Sequence, residues 1–303
     1  MLAFKYLVNV SEGSKAKLDI VSVTLSTLGF GLVLFGFSSA GNRVWGDTLV
    51  LASIIIGVIS LVLFSVRQLR SRDPFLNLRV FKNKIFTMTS FINIIVTMML
   101  YADMILLPMY LQTVRGFSAF DSGLLLLPGA LINAVLSPVV GKLYDRYGAK
   151  PLFIIGLLFV IPSMWVVTSL TASTTFTFLM IRTIFLRIGL SFITMPLNTA
   201  GLNVLQKDLI NHGTAVNNTV RQIAGAIGTA VVITIYSSKS TLYAGNLAAQ
   251  GVTENIKSLT SIFAASKAYY FMTILAVLAL VLTFLTPLKK PTPVIKQIED
   301  LEY

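Results

Sequence analysis

A short charged stretch, Gly-Lys-Leu-Tyr-Asp-Arg-Tyr-Gly-Ala-Lys at positions 141–150, interrupts an otherwise apolar part of the chain. On each side of it lie about twenty mostly apolar residues, the length that crosses the hydrocarbon core of a bilayer. Glycines at positions 141 and 148 bracket the charges and permit a tight turn. The stretch therefore predicts a hairpin between two membrane-spanning helices.

The composition of the whole chain indicates that a membrane is its solvent. Of its 303 residues, 55% are hydrophobic and 12% are charged, and the mean hydropathy is +0.82, whereas soluble domains carry about 25% charged residues. The apolar runs are continuous, without the alternation of barrel strands. We predict an all-α membrane protein, a polytopic bundle of eight transmembrane helices. The predicted spans are Ile20–Ser38, Thr48–Val66, Ile85–Leu111, Ser122–Val140, Pro151–Leu170, Phe176–Leu197, Thr214–Ser237 and Ala268–Pro287.

The connecting segments alternate in charge. Segments 1–19, 67–84, 141–150, 198–213 and 288–303 hold sixteen Lys and Arg residues, and the intervening segments hold five. Because basic loops stay in the cytoplasm, this bias predicts that both termini lie there. We expect the membrane to be the plasma membrane of a bacterial cell. The bias also accounts for the net charge of +12 without a nucleic-acid partner.

Residue types needed for several other functions are scarce. The chain has no cysteine and one histidine, His212, which we interpret as a solvated loop residue. Disulfides, thiolate metal sites and a histidine metal centre are thereby excluded. An intramembrane enzyme is disfavoured, because one acidic residue lies deep in a span with no second carboxylate beside it.

The acidic residue deep in a span is Asp103. A carboxylate within the membrane is a functional candidate by default, and burial with a nearby arginine would set its protonation. We predict a proton or cation site at Asp103. On a helical wheel, however, Asp103 lies nearly opposite a polar stripe on the same span. If that stripe faces the cavity, Asp103 instead pairs with a neighbouring helix.

Polar and helix-bending residues predict the lining of a transport pathway. Prolines bend spans and free backbone carbonyls, and small residues let helices approach closely. Arg182 and Arg187 lie five residues apart, so they cannot share one helix face. Arg187 is the deeper and the stronger candidate for the pathway, whereas Arg221 either pairs inside the bundle or reaches the interface. The predicted cavity residues are Asn93, Thr97, Pro108, Gln112, Arg187, Asn218, Arg221 and Gln222.

Several motifs resemble those of one transporter family. Gly141-x-x-x-Asp145-Arg146-x-Gly148-x-Lys150 resembles the loop signature of the major facilitator superfamily. Further motifs are similar to its fourteen-helix drug:proton antiporter branch, which contains lincomycin and quaternary-ammonium efflux proteins. These motifs are Asp73–Phe81, Leu107–Gln112, Gly116–Ala119, Ser122-Gly123, Leu127-Pro128-Gly129 and Asn218-x-x-Arg221-Gln222-x-x-Gly225-x-x-Gly228.

The resemblance covers the last eight of the family's fourteen helices. It implies a cytoplasmic segment at 1–19, two linker helices at 20–66, a basic loop at 67–84, a six-helix carboxyl-terminal half at 85–287 and a cytoplasmic tail at 288–303. The implied partner is an amino-terminal half, which makes the chain a fragment, a truncated gene product or one member of a split pair.

The resemblance also implies a function. The chain would contribute to proton-coupled efflux of hydrophobic or cationic drugs by alternating access, with the proton as coupling ion and no other cofactor. Gly141, Asp145, Arg146, Gly148 and Lys150 would form a conformational latch, although a basic loop also anchors topology in any membrane protein. Two alternatives stay open: a facilitator for another small metabolite, and a truncated remnant without transport.

Overall fold

The computed structural model describes residues 19–40, 45–71, 74, 76–252 and 254–288. Within these ranges, eight helices are long and apolar enough to cross a membrane, which confirms the predicted number of spans. They are α1 (Ile20–Ala40), α2 (Thr48–Arg70), α3 (Lys84–Arg115), α4 (Ala119–Tyr147), α5 (Ala149–Val166), α6 (Phe176–Leu202), α7 (Ile210–Ala249) and α8 (Ile256–Leu285). Three short 3₁₀ segments, Leu78–Lys82, Val167–Ser169 and Lys207–Leu209, complete the described secondary structure. The predicted amino-terminal segment (apart from Asp19) and, beyond Leu288, the predicted tail lie outside the described residues.

The charged stretch is more helical than its sequence predicted. Helix α4 continues to Tyr147 and α5 begins at Ala149, so Gly148 is the one residue between them. Its φ of 82° is a backbone conformation that favours glycine. The expected loop at 141–150 is therefore the end of one helix, a one-residue break and the start of the next.

The last two helices extend well beyond their predicted spans. The predicted boundaries of these two spans were wrong, because α7 continues beyond Ser237 to Ala249 and α8 begins at Ile256 rather than Ala268. Leu247 is buried in this extension, and the rings of Tyr243 and Phe263 stack with centroids 4.4 Å apart. Packing between the two helices therefore keeps these extensions helical, although their residues are too polar to be recognised as part of a membrane span.

Helix α3 lies at the centre of the bundle. It packs against α6, α7 and α8, and its buried apolar residues other than Phe86 belong to one core together with residues of α4–α8. Its connection to α4 is short because both helix ends are capped. Gly116, with φ 67°, ends α3, and Ser118 and Asp121 form a reciprocal capping box at the start of α4.

Helices α5 and α6 approach each other backbone to backbone. A Cβ atom on Gly156 would lie 2.6 Å from the carbonyl oxygen of Gly189, and one on Gly189 would lie 2.6 Å from the carbonyl oxygen of Gly156. Small residues permit such contacts between membrane helices. This contact fixes α6, which carries both deep arginines, against the core.

Helices α1 and α2 form a peripheral hairpin. They pack against each other, and α1 also packs against α7. At the turn between them, Trp45 Nε1 donates to Thr234 Oγ1 over 2.5 Å. At the opposite end, Arg67 forms two hydrogen bonds to the Asp19 carboxylate, of 2.9 and 3.0 Å, which hold the pKa of that carboxyl well below its usual range.

The membrane side at which α2, α4, α6 and α8 end is called here the basic side. On it lies His212, which belongs to the first turn of α7 rather than to a loop. The residue is half-buried, and its Nδ1 accepts a hydrogen bond of 3.3 Å from the backbone nitrogen of Asn77. The interpretation of His212 as a solvated loop residue was therefore wrong.

Candidate functional site: a buried ion pair and its surroundings

A buried ion pair joins α3 to α6. Arg182 Nη1 lies 2.7 Å from Asp103 Oδ1, and the two side chains are 3% and 1% exposed. Tyr269 of α8 donates its hydroxyl to the same carboxylate oxygen over 3.0 Å, and the arginine lies over the tyrosine ring at 5.2 Å. We call Asp103, Arg182 and Tyr269 the charge cluster.

The rest of the Arg182 guanidinium is held by α5. Its Nε donates to the carbonyl oxygen of Ser163 over 2.8 Å, and its Nη2 lies 3.3 Å from the sulfur of Met164. Ser163 is among the last four residues of α5, whose carbonyls have no partner within the helix and carry its partial negative charge. The arginine therefore binds two negative groups, a carboxylate and a helix end.

One oxygen of the carboxylate remains without a partner. Asp103 Oδ2 is buried and has no hydrogen-bond partner among the described residues, and neither has the buried Thr183 Oγ1 on the adjacent helix. A carboxylate with one free oxygen in an apolar surrounding is a group that can accept a proton or a polar ligand. Arg182 balances the charge of Asp103, and Oδ2 is the carboxylate oxygen left open to a further partner.

A groove on the outside of the bundle leads to the charge cluster. It lies between α5 and α6, holds about 370 Å³ and is lined mostly by apolar side chains. Arg182 and Ser163 contribute polar atoms to its lining, and Pro162, inside α5, lines it as well. The groove thus reaches the arginine of the charge cluster.

The predicted cavity residues do not share one surface. Asn93 and Thr97 are buried on α3, with Thr97 Oγ1 donating to Asn93 Oδ1 over 3.4 Å. Pro108, Arg187 and Arg221 are half-buried. Gln112, Asn218 and Gln222 are exposed. The amide that joins α7 to α3 is the neighbouring Asn217, whose Oδ1 accepts from Ser90 Oγ over 3.3 Å.

The predicted latch residues have separate roles at the basic side. Lys150 Nζ donates to the backbone carbonyls of Phe284 and Thr286, over 3.0 and 3.5 Å, and so caps the carboxyl end of α8. Asp145 and Arg146 are exposed, and Arg146 lies over the ring of Tyr147 at 5.3 Å.

Sequence reasoning missed two residues of this site, Tyr269 and Ser163, and also Asn133, which lies beside Arg187. Tyr269 is the one aromatic among the buried residues of α8, which are otherwise alanine, methionine, serine and threonine, and that contrast was a usable signal. Ser163 takes part through its backbone, which no side-chain pattern reveals. Asn133 of α4 donates to Ser191 Oγ over 2.8 Å and to the carbonyl of Arg187 over 3.4 Å.

The family model described as Major Facilitator Superfamily matches residues 26–229. The chain belongs to this superfamily. The bundle of this facilitator also resembles, with a TM-score of 0.55 and 17% identity, the crystal structure of a bacterial homologue of the human lysosomal transporter Spinster in an inward-facing, occupied conformation. That likeness covers 86% of this chain and 66% of the other, and shows the fold alone.

Curated relatives of this facilitator are considerably longer. The MFS-type transporter YhcA of Bacillus subtilis is 46% identical over 248 residues, which are 82% of this chain and 47% of YhcA. The lincomycin resistance protein LmrB of Listeria innocua is 42% identical over 280 residues, which are 92% of this chain and 59% of LmrB. This facilitator chain therefore spans about half of the length of these relatives.

Proposed function

We propose that the chain is the carboxyl-terminal part of a secondary active transporter that exports hydrophobic or cationic drugs in exchange for protons. It is a carrier rather than an enzyme, and the proton is its coupling ion. Similarity to lincomycin resistance proteins supports the drug substrate. The lengths of those relatives support a companion, an amino-terminal set of helices that completes the pathway. Alternating access then moves the two parts about a site near the bilayer centre.

The observation that carries the proposal is the buried ion pair of Asp103 and Arg182. Charges inside a membrane are costly, and a pair is retained where transport uses it. Protonation of Asp103 would release Arg182 and Tyr269, which belong to two other helices. Proton binding would thereby loosen the contact of α3 with α6 and α8, the rearrangement that a proton-driven carrier needs.

The charges at the basic side support one orientation in the membrane. We propose that this side faces the cytoplasm of a bacterial cell, with both termini on it, because it holds most of the Lys and Arg residues. Helices α1 and α2 are then a linker hairpin, and α3–α8 form the carboxyl-terminal half. The Gly148 break and the Lys150 cap would form a latch that holds α5 against α8 in one transport state.

The test is dye efflux from cells that express the chain together with the part of LmrB from Listeria innocua that lies before its match to this chain. We expect ethidium efflux that requires a proton gradient. Asp103→Asn should remove its dependence on external pH, because the asparagine cannot titrate. Glu254→Gln, in the connection between α7 and α8, is the matched control. Unchanged pH dependence in Asp103→Asn would exclude this residue as the proton carrier.

A further inference from the structure

Arg187 is a second deep arginine, and its charge is not balanced within the described residues. It lies two residues from the midpoint of α6, or about 3 Å along the helix axis. Its Nε is buried and has no hydrogen-bond partner, and the residue takes part in neither of the two ion pairs in the described part of the chain. Arg187 thus brings an unpaired guanidinium close to the bilayer centre.

Asp103, the acidic residue of the charge cluster, does not neutralise Arg187. Five residues along a helix correspond to a rotation of about 140°, so Arg187 points away from the side on which Arg182 binds Asp103. The other acidic residues of the described chain lie at or near helix ends, far from mid-membrane depth. They are Asp19, Asp47, Asp121, Asp145, Asp208 and Glu254.

Neighbouring residues hold the backbone of Arg187, whereas the Nε of its guanidinium has no hydrogen-bond partner among the described residues. Gly129 of α4 lies directly over the side chain, since a Cβ there would come within 2.8 Å of Arg187 Cγ. Asn133 and Ser191 both donate to the carbonyl oxygen of Arg187, over 3.4 and 2.9 Å. The backbone and Cγ of Arg187 are already held, and its N–H donors are unused. Such an arginine suits a binding site, because less of it must become ordered when an anion binds.

We propose that Arg187 binds an anionic group, a carboxylate in the simplest case, of the compounds that this protein transports. The guanidinium presents several N–H donors in a planar fork that matches a carboxylate, and such charge-assisted pairs are strong where water is scarce. The inference rests on the proposed function. It adds that, among hydrophobic or cationic compounds, those that also carry an anionic group bind more tightly.

The test compares rhodamine B, which has a free carboxylate, with its ethyl ester, which lacks one. Binding of each dye is measured by fluorescence anisotropy on the purified chain in phosphatidylcholine nanodiscs. We expect the acid to bind at least about tenfold more tightly than the ester, as one charge-assisted hydrogen bond provides. Arg187→Gln should abolish this preference, and Arg187→Lys should retain part of it.

The control variant is Arg70→Gln, which removes an exposed arginine from the end of α2. It tests whether the net charge of +12 attracts the acid without a site. The ratio of the two dissociation constants should stay at its wild-type value in this variant. Equal binding of both dyes by the wild-type chain, or a preference that persists in Arg187→Gln, overturns the proposal.

A second measurement separates this inference from the proposed function. Cells with the complemented transporter are given both dyes, and their efflux is compared. Efflux of the ester without any Arg187-dependent preference for the acid dye supports transport and refutes the role of Arg187. An acidic residue of the companion that pairs with Arg187 would give the same result and likewise refute the role. Absence of efflux together with an Arg187-dependent binding preference refutes transport and leaves the anion site standing.

Discussion

Two ion pairs of the same chemistry lie at opposite extremes of burial. Arg182 and Asp103 are 3% and 1% exposed, in the centre of the bundle, and bind over 2.7 Å. Arg67 and Asp19 are 47% and 33% exposed, at the rim of the peripheral hairpin, and bind over 2.9 Å. The distances nearly agree, yet the first pair replaces hydration that its charges have lost, whereas the second competes with water. Burial, not geometry, decides what each pair does for the fold.

The largest difference is expected when the arginine of each pair is replaced. Arg182→Gln leaves Asp103 buried without its counter-charge, and we expect a loss of about 3–5 kcal/mol in unfolding free energy. Arg67→Gln, the matched control, leaves an aspartate that water can reach, and its loss should be much smaller. Unfolding of the purified chain in mixed micelles titrated with SDS measures both.

The double variant Asp103→Asn/Arg182→Gln sharpens this comparison. Because both charges are then removed, much of the loss seen in Arg182→Gln should be recovered. Equal losses of unfolding free energy in Arg182→Gln and Arg67→Gln would contradict the conclusion that burial decides how strongly each pair stabilises the fold.

An intermediate effect is expected from the third member of the charge cluster. Tyr269→Phe removes one hydroxyl donor to a buried carboxylate and should cost about 1.5–3 kcal/mol. Tyr270→Phe is the matched control, because Tyr270 is half exposed on the same helix. The same SDS titration compares the two, and a loss in Tyr270→Phe as large as that in Tyr269→Phe would argue against the hydrogen bond.

The smallest effect concerns the exposed pair and has a defined pH range. The pKa of Asp19 is lowered in the folded protein, chiefly by its hydrogen bond with Arg67. Its contribution is therefore complete above the unfolded-state pKa of about 3.9 and is lost as the pH falls through the lower folded value. Wild type and Asp19→Asn should differ slightly in melting temperature at pH 7 and converge below about pH 4. A difference that grows in acid would contradict this sign.

The number of spans could be predicted, because apolar length is a local property of the sequence. The extents of α7 and α8 could not, since residues 243–258 have the composition of a loop and are held helical by contacts such as Tyr243 with Phe263. In the same way, the stretch around Gly148 has the charged residues of a loop, although the backbone on both sides of Gly148 is helical. Hydropathy indicates whether a segment lies in lipid or in water, but it says little about the backbone conformation of segments outside the membrane.

For the candidate site, the sequence identified the residue but not its partner. Asp103 was recognisable because a carboxylate inside a span is rare. Depth alone favoured Arg187 as the significant arginine, whereas Arg182 is the one that binds Asp103, 79 residues away along the chain. Rotation about α6 and the position of α3 decide that choice, and both are properties of packing. The acceptors of Lys150 are backbone carbonyls, which leave no mark in a sequence.

The length of α7 has a mechanical consequence. Its 40 residues form one helix of about 60 Å, roughly twice the thickness of the hydrocarbon core. A tilt of about 10° about the end near His212 would carry the far end, at Ala249, through roughly 10 Å. The helix is thus a lever arm that magnifies small movements inside the membrane. A probe at Ala249 would report such movements from beyond the hydrocarbon core.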